Sequence, residues 1–425
     1  MTMRPNSRRS ARTALAGFAA LAAGFSADAQ EALRSSQAYQ QASQARSRLA
    51  DDNGYGNTRG ALSYTLGAGL SFEYNDNVNL SGANSEDDLI IAPSVSAGAR
   101  WELTKYNSLG LDLSFSYLAY MNNPDFNRVE FGLSPTSDNN IGFSFLIKDV
   151  RVDIYDSFGV HSDAFRDASV SSQSKVTEFR NTLGTTAAYE WSNAQIRGGY
   201  SLQKSFFLDS QFENNDRLAH LLDAGFQYAV GPSIYLGIEA SASLSAYSSD
   251  KLNDSTVITI GPSLSWKVNE FFRFSLGGGP SFSTYSANNL GFKPASRTSY
   301  YLYATADHQL TESIKHTLGV NRGVSPGIDS FASETLSINY RVNWRLIRNV
   351  SLSAGVFYDT GTASSGTATL FEQDFDRIGG SIDAAYSFNT HLNAGIGYRY
   401  STRSSSTPGS DYTQNQATLS VSYKF

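Results

Sequence analysis

The feature that most constrains this chain is an alternation with period two. It runs from Tyr64 to the last residue. Tyr64, Leu66, Ala68, Leu70, Phe72 and Tyr74 share one face of a first segment. Leu89, Ile91, Pro93, Val95, Ala97, Ala99, Trp101 and Leu103 share a face of the second, and Leu109 to Met121 repeats the pattern. At the end, Ala417, Leu419, Val421, Tyr423 and Phe425 alternate with Gln416, Thr418, Ser420, Ser422 and Lys424. Such spacing makes strands with two chemically different faces. One such strand suits a soluble β-sandwich equally well, so the connections have to decide. Short turns are expected at Lys105-Tyr106-Asn107, Lys148-Asp149, Ser192-Asn193, Gly231-Pro232, Asn269-Glu270, Thr311-Glu312, Arg348-Asn349 and Asn389-Thr390. Between them fall long polar segments at 75–88, 161–178, 208–216, 248–254, 286–297, 324–333, 360–373 and 402–411. Strict alternation of short and long connections is the pattern of a transmembrane, antiparallel, up-and-down β-barrel. The expected fold is therefore all-β.

The count is about 18 strands, with both ends of the barrel on the short-turn, periplasmic side. It falls to 16 if Leu133-Ser134-Pro135-Thr136 breaks the region between Arg128 and Gly159 differently. In the clearest spans (89–103, 109–121, 234–246, 336–346 and 417–425) the apolar parity holds no charge. A charge there would cost about 2–4 kcal/mol at the lipid midplane. All four tryptophans, Trp101, Trp191, Trp266 and Trp344, sit on the apolar parity where strands run into short turns. That placement predicts an interfacial aromatic girdle. Tyr74, Tyr247, Tyr285, Tyr358 and Tyr400 are expected to form a second girdle at the other rim. The opposite parity would line a lumen. It carries Arg197, Arg273, Arg341, Arg345 and Arg399 beside Asp112, Asp153, Glu190, Asp223, Glu239 and Asp383. Both signs occur, so no strong ion preference follows. Each of these charges can equally just solvate the wall or pair with a neighbour.

The first residues supply a compartment. Arg4, Arg8, Arg9 and Arg12 precede the apolar run Thr13–Phe25, and Ala27-Asp28-Ala29 makes a cleavage site. Residues 1–29 are read as a secretory signal peptide. The residues after Arg8-Arg9 lack the apolar pair of a twin-arginine signal, so the Sec route is expected. Residues 30–60 read as a polar periplasmic arm and 61–425 as the outer-membrane barrel. The whole chain has 33 Lys and Arg against 39 Asp and Glu. The leader takes four Arg and one Asp with it, leaving a formal charge of −9. No basic stripe exists for nucleic acid. Cysteine is absent, which removes disulfides and thiol chemistry. No cofactor is expected.

The closing strand, with Tyr423 and the terminal aromatic Phe425, resembles the assembly signal of bacterial outer-membrane barrels. Glu73-Tyr74-Asn75-Asp76-Asn77-Val78 after the first strand resembles the start of the putative β-barrel porin 2 family. Leu133-Ser134-Pro135 followed by Val150-Arg151-Val152-Asp153 is similar to that family's third and fourth strands. The resemblance implies a bacterial outer-membrane barrel and makes polysaccharide export one candidate, with periplasmic export components as partners. The barrel-assembly machinery, outer-membrane lipid and lipopolysaccharide are the other expected partners. General diffusion of small solutes is the alternative. On the lumen parity Tyr120, Tyr155, Tyr235, Tyr301, Tyr303 and Phe357 could stack on sugar rings or merely fill the wall.

An outer-membrane enzyme is the rival class, and it needs a histidine with a nucleophile or carboxylate at the outer rim. His161-Ser162-Asp163 is the one such cluster, but adjacent loop residues seldom form a dyad. A structural barrel without an open pore is a further alternative. Asp76, Glu86, Asp87 and Asp88 could draw a hard cation, but solvated loop charge or cation bridging to lipopolysaccharide is the favoured reading. The final strand is expected to pair with Tyr64–Tyr74 and remove both free edges. Deleting Phe425 should then lower the yield of folded, heat-modifiable barrel on gels and leave the lumen unchanged.

Overall fold

The structure is a computed structural model describing residues 57–131, 139–162, 176–289, 291–325, 332–365 and 371–425. The expected signal peptide, most of the arm, Leu133–Thr136 and Asp163 lie outside the described residues. Twenty strands form one antiparallel sheet among them. The first seven are β1 (Asn57–Arg59), β2 (Leu62–Asn75), β3 (Asp88–Glu102), β4 (Ser108–Tyr120), β5 (Arg128–Phe131), β6 (Asn139–Ile147) and β7 (Val150–Ser162). Next come β8 (Thr177–Trp191), β9 (Ala194–Phe207), β10 (Arg217–Gly231), β11 (Ile234–Tyr247), β12 (Ser255–Lys267) and β13 (Phe272–Tyr285). The last seven are β14 (Arg297–Gln309), β15 (Ile314–Ser325), β16 (Ala332–Ile347), β17 (Val350–Ser365), β18 (Phe371–Ser387), β19 (Leu392–Ser405) and β20 (Tyr412–Lys424).

The sheet closes on itself because β20 pairs with β2 from Gly67↔Lys424 to Asn75↔Gln416. β5 and β6 are two pieces of one stave: β5 pairs with β4 over Phe115–Leu118 and β6 over Ser108–Asp112. β1 covers only Leu62–Tyr64, on the edge that β20 leaves bare. The barrel thus has 18 staves, the number read from the sequence, with the break at the segment that made the count uncertain. Every expected short turn closes a hairpin. Two of them use a left-handed residue, Lys148 (φ 55°) and Ser192 (φ 44°), as tight two-residue hairpins require. The long connection expected at 360–373 is shorter than that, because β17 runs on to Ser365 and β18 starts at Phe371.

Side chains sort by parity. The apolar set points outward and is exposed, including Leu222, Phe226, Ile238, Ile382 and Ile396. The four tryptophans are 40–49% exposed on that face, each within a few residues of a short turn. Tyr189 stacks on Trp191 and Tyr423 packs edge-on against Phe425 at the same end. At the loop end Tyr74, Tyr358 and Tyr400 are outward and exposed, but Tyr247 and Tyr285 are not. Tyr285 is 4% exposed and packs with Val324 and Ala332. Counting by twos from outward Phe282 puts Tyr285 inside, and Tyr247 shares the inward row of Arg217. The rim expectation followed residue type and missed parity. The outward face also carries charges outside the spans tested: Asp156, Lys204, Arg322, Glu334 and Asp376. Asn181 donates to Asp156 at 2.6 Å and the Tyr358 hydroxyl to Asp376 at 2.6 Å, so these carboxylates do not meet lipid unpartnered.

Pairing of β14 with β15 stops at Leu302↔Arg322 among the described residues. Beyond it the Arg322 guanidinium donates to the Tyr300 carbonyl at 2.6 Å, pairs with Glu334 and lies 3.6 Å over the Tyr300 ring. A side chain thus satisfies a backbone acceptor where the ladder ends.

The inner face obeys a second rule. Large inward side chains lie sideways over glycines of the neighbouring strand. Tyr155 covers Gly184, Tyr303 covers Gly277, Phe357 covers Gly379 and Arg197 covers Gly225; a Cβ at Gly379 would sit 2.5 Å from the Phe357 ring. The missing Cβ lets a ring lie flat against the wall, a form of aromatic rescue. Gly184→Ala should therefore cost about 1–3 kcal/mol through overpacking. Adding Tyr155→Ala should recover most of it, as read by urea unfolding of the refolded barrel in a double-mutant cycle.

Candidate functional site

Among the described residues the lumen gathers most of the polar chemistry. Its wall is mostly Gly, Ser and Thr, interrupted by charged rows. Arg197 on β9 reaches over Gly225 to Glu239 on β11, Nη2 to Oε2 3.7 Å. The Tyr303 hydroxyl donates to the same carboxylate from β14 at 3.0 Å, crossing the glycines of β12 and β13. Asp223 lies against Gly199, and Asp153 accepts from Ser144 and pairs with Arg151 at 3.2 Å. Asp112 holds its inward register opposite Gly98. Arg341, Asp383 and Arg399 come together on β16, β18 and β19, within electrostatic range of one another. Glu73 and Arg128 extend that row beyond Arg399, giving alternating signs across the wall. Arg273, opposite Asp307, is exposed at the short-turn mouth. Arg345 is engaged by the turn carbonyl of Glu312 at 3.2 Å and Glu190 by Gln195 at 2.6 Å.

Other inward charges went unnoticed in the sequence. Arg377 donates to Asp359 through Nε (3.0 Å) and Nη2 (2.7 Å), both side chains nearly fully buried. Arg180 grips Glu178 through both oxygens, and Lys315 pairs with Asp307 at 3.1 Å. The same parity count that found Arg399 would have found all of these.

Burial divides the lumen along its axis. At the loop end the inward residues Arg217, Glu178, Arg377, Arg403 and Tyr412 are buried, whereas towards the short turns Glu190, Arg273, Lys315 and Lys267 are exposed. Loops fill the buried half. Leu80 of the 76–87 loop, Val176, Phe212 of a 3₁₀ turn (Ser210–Asn215) and Tyr412 of β20 make one hydrophobic cluster, joined by Phe207. Those residues come from staves a third of the circumference apart. The cluster therefore bridges the mouth. A second cluster, Val78, Ile90, Tyr120 and Phe126, packs the adjacent loops down.

The Glu73–Val78 motif anchors this cap. Asn77 donates to the Ser81 and Thr413 carbonyls at 2.8 and 2.9 Å, and Gln414 donates to Asn75 and to the Asn77 carbonyl. Asn415 binds Asp76 through its backbone at 2.7 Å and its amide at 2.6 Å. Asp88, fully buried, accepts from the backbones of Met121, Asn122 and Asn123 at 2.8–3.0 Å. Two of the four acids considered for a hard cation are thus committed to loop hydrogen bonds, and among the described residues no group of three or more candidate ligands converges.

Of the lumen aromatics, Tyr120, Tyr155, Tyr301 and Phe357 are at most 7% exposed and offer no open face to a sugar ring; Tyr235 alone is well exposed, at 43%. Four histidines are described with their side chains. His308 stacks on His316, and His220 meets Tyr200, on the outward face; His391 bonds the Lys424 carbonyl in a turn. The side chains of His161 and Ser162 lie outside the description. On the inner wall a recess of about 250 Å³ opens between Lys315, Arg341 and Arg399. A second recess, of about 350 Å³, lies at the short-turn mouth near Arg100 and Arg151.

Asp88→Ala should strip the 121–127 loop of its acceptor and cost about 1–3 kcal/mol. Limited proteolysis within Met121–Asn127, absent in the unmodified protein, is the check.

No curated protein sequence matches the chain. Solved structures similar to it include a BenF-like porin from Pseudomonas fluorescens Pf-5, 12% identical with a TM-score of 0.47, spanning 86% of this chain and 99% of that one. Pseudomonas aeruginosa OccK2 (OpdF), in complex with glucuronate, is 12% identical with a TM-score of 0.48 over 86% and 98%. Vibrio cholerae OmpT lacking loop L8 is 10% identical with a TM-score of 0.39 over 86% and 100%. The likeness to these outer-membrane proteins is one of β-barrel fold, and residues 317–425, from within β15 to the last residue, match the sequence model of the family described as Putative beta-barrel porin 2.

Proposed function

We propose that the protein is an outer-membrane channel for polar solutes, its short-turn mouth open to the periplasm and its outer mouth closed by a movable loop cap. The observation that carries this reading is the axial division of the lumen. The inward charges of one half are accessible, while those at the loop end, whose mouth the Leu80–Val176–Phe212–Tyr412 cluster bridges, are buried. Eighteen staves enclose more width than side chains alone fill, so a wide bore plugged at one end by loops suits gated passage. Neighbouring charges of opposite sign along the wall favour solutes carrying dipoles or a single charge over bulk transport of one ion sign. The outward aromatic band and the short-turn girdle Trp101, Trp191, Trp266 and Trp344 support insertion in this orientation. Tyr423 and Phe425 would then present the closing strand to the assembly machinery, and the outward rim would meet lipopolysaccharide.

Polysaccharide export draws support from the Glu73–Val78 resemblance. It would require the cap to swing aside, since the buried aromatics form no open stacking track. Loss of surface polysaccharide on deletion, with small-solute uptake unchanged, would favour it.

In planar bilayers the unmodified protein should conduct weakly. Leu80→Asp and Phe212→Asp each place a charge in the dry cluster, and each should raise conductance several-fold. Folded, inserted variants that conduct no better than the unmodified barrel would refute a gate at this cap.

A further inference from the structure

The recess on the open half of the lumen sets two arginines on either side of a bare floor. One inward row crosses five strands as Thr317, Arg341, Gly355, Ser381 and Arg399. Its two arginines stand three strand spacings apart, about 14 Å at the backbone. The floor between them is a glycine and a serine, with no bulk. The next inward row towards the short turns is Lys315, Asn343, Ser353 and Asp383. On the loop side Phe357 forms the end wall, held flat over Gly379.

The cations differ in how they are engaged. Lys315 is held by Asp307 at 3.1 Å. Arg399 is shared between Glu73 and Asp383. Arg341 makes no hydrogen bond or ion-pair contact among the described residues; Asp383 is its one acidic neighbour within electrostatic range. A guanidinium half-withdrawn from water keeps five donors that the wall leaves unanswered. A carboxylate can take two of them in a planar fork. The Asn343 carbonyl oxygen already accepts from Ser353 at 3.1 Å, which leaves its amide hydrogens to donate into the recess. Ser381 and Thr317 add hydroxyls. Asp383 sets an upper limit on charge, because a dianion seated at Arg341 would be repelled by it.

We propose that this recess binds a small hydroxylated monocarboxylate, with Arg341 taking the carboxylate and Asn343, Ser381 and Thr317 taking hydroxyls. The site deepens the channel reading and rests on it: solutes entering the open half would pause here below the cap.

The test uses the full-length protein and gluconate as probe, in two formats. In planar bilayers gluconate should reduce the potassium chloride current in a saturable manner, and glucose should not. Arg341→Gln should weaken the block roughly ten- to a hundredfold, the loss of one charge-assisted bond. Arg341→Lys should keep part of it, and Arg345→Gln, whose arginine serves a turn, should keep all of it. In detergent, calorimetry should give the same ranking without any need for conduction. Equal block by glucose and gluconate, or wild-type affinity in a folded Arg341→Gln barrel, overturns the site. A conducting barrel indifferent to gluconate in both formats loses the site and keeps the channel. Binding in detergent through Arg341 by a barrel that never conducts keeps the site and refutes the channel.

Discussion

Everything in this molecule depends on the absence of water beside the middle of its wall. Backbone amides and carbonyls facing hydrocarbon must be satisfied within the protein, and a sheet achieves that only by closing. The register Gly67↔Lys424 to Asn75↔Gln416 is therefore the contact on which the other seventeen stave junctions rely. Where β20 runs out, β1 takes over its edge. Where β14 and β15 part, Arg322 supplies the donor that the ladder no longer does. Each local device answers the same demand.

Closure alone would leave a tube crowded by its own inward side chains. Glycine resolves this. At Gly184, Gly225, Gly277 and Gly379 the missing Cβ lets a tyrosine, arginine or phenylalanine from the next strand lie along the wall. Bulk is stored circumferentially, and the bore stays available for solute and for loops. The charged groups follow the same habit, spanning neighbouring strands more than the lumen, so opposite signs meet along the wall and the field across the bore is local.

Much of this was legible in the sequence. Period-two alternation, sorted connection lengths and four tryptophans beside short turns identified the barrel, its 18 staves and its two faces. The interruption after Arg128 was visible as a doubt and proved to be a stave in two pieces. Inward placement of Arg197, Asp223, Glu239, Arg341, Asp383 and Arg399 followed from parity, although what they bind does not. At Tyr247 and Tyr285 aromatic character points to the outer rim, whereas parity places both inside. The cap was illegible for a different reason. Leu80, Val176, Phe212 and Tyr412 are isolated apolar residues, three of them in polar connecting segments, and no periodicity joins residues brought together only by closure of the barrel. The recess was half visible: its arginines could be placed inside, but that Gly355 and Ser381 lie between them depends on the register of four strands.

The unequal lengths of the staves have one more consequence. β16, β17 and β18 hold 16, 16 and 17 residues, whereas β14 and β15 beside them hold 13 and 12. Crossing the apolar layer takes about ten residues. The register places the surplus: β15 stays paired with β16 from Ile314↔Trp344 up to Ser325↔Ser333, so most of what β16 adds lies past Ile314 at the short-turn end, where Arg345 and Ile347 run on against β17. The Arg348–Asn349 hairpin below the recess therefore reaches further than the turn at Thr311–Ser313 beside it. The short-turn rim is stepped at that point, so the mouth beneath the recess is asymmetric.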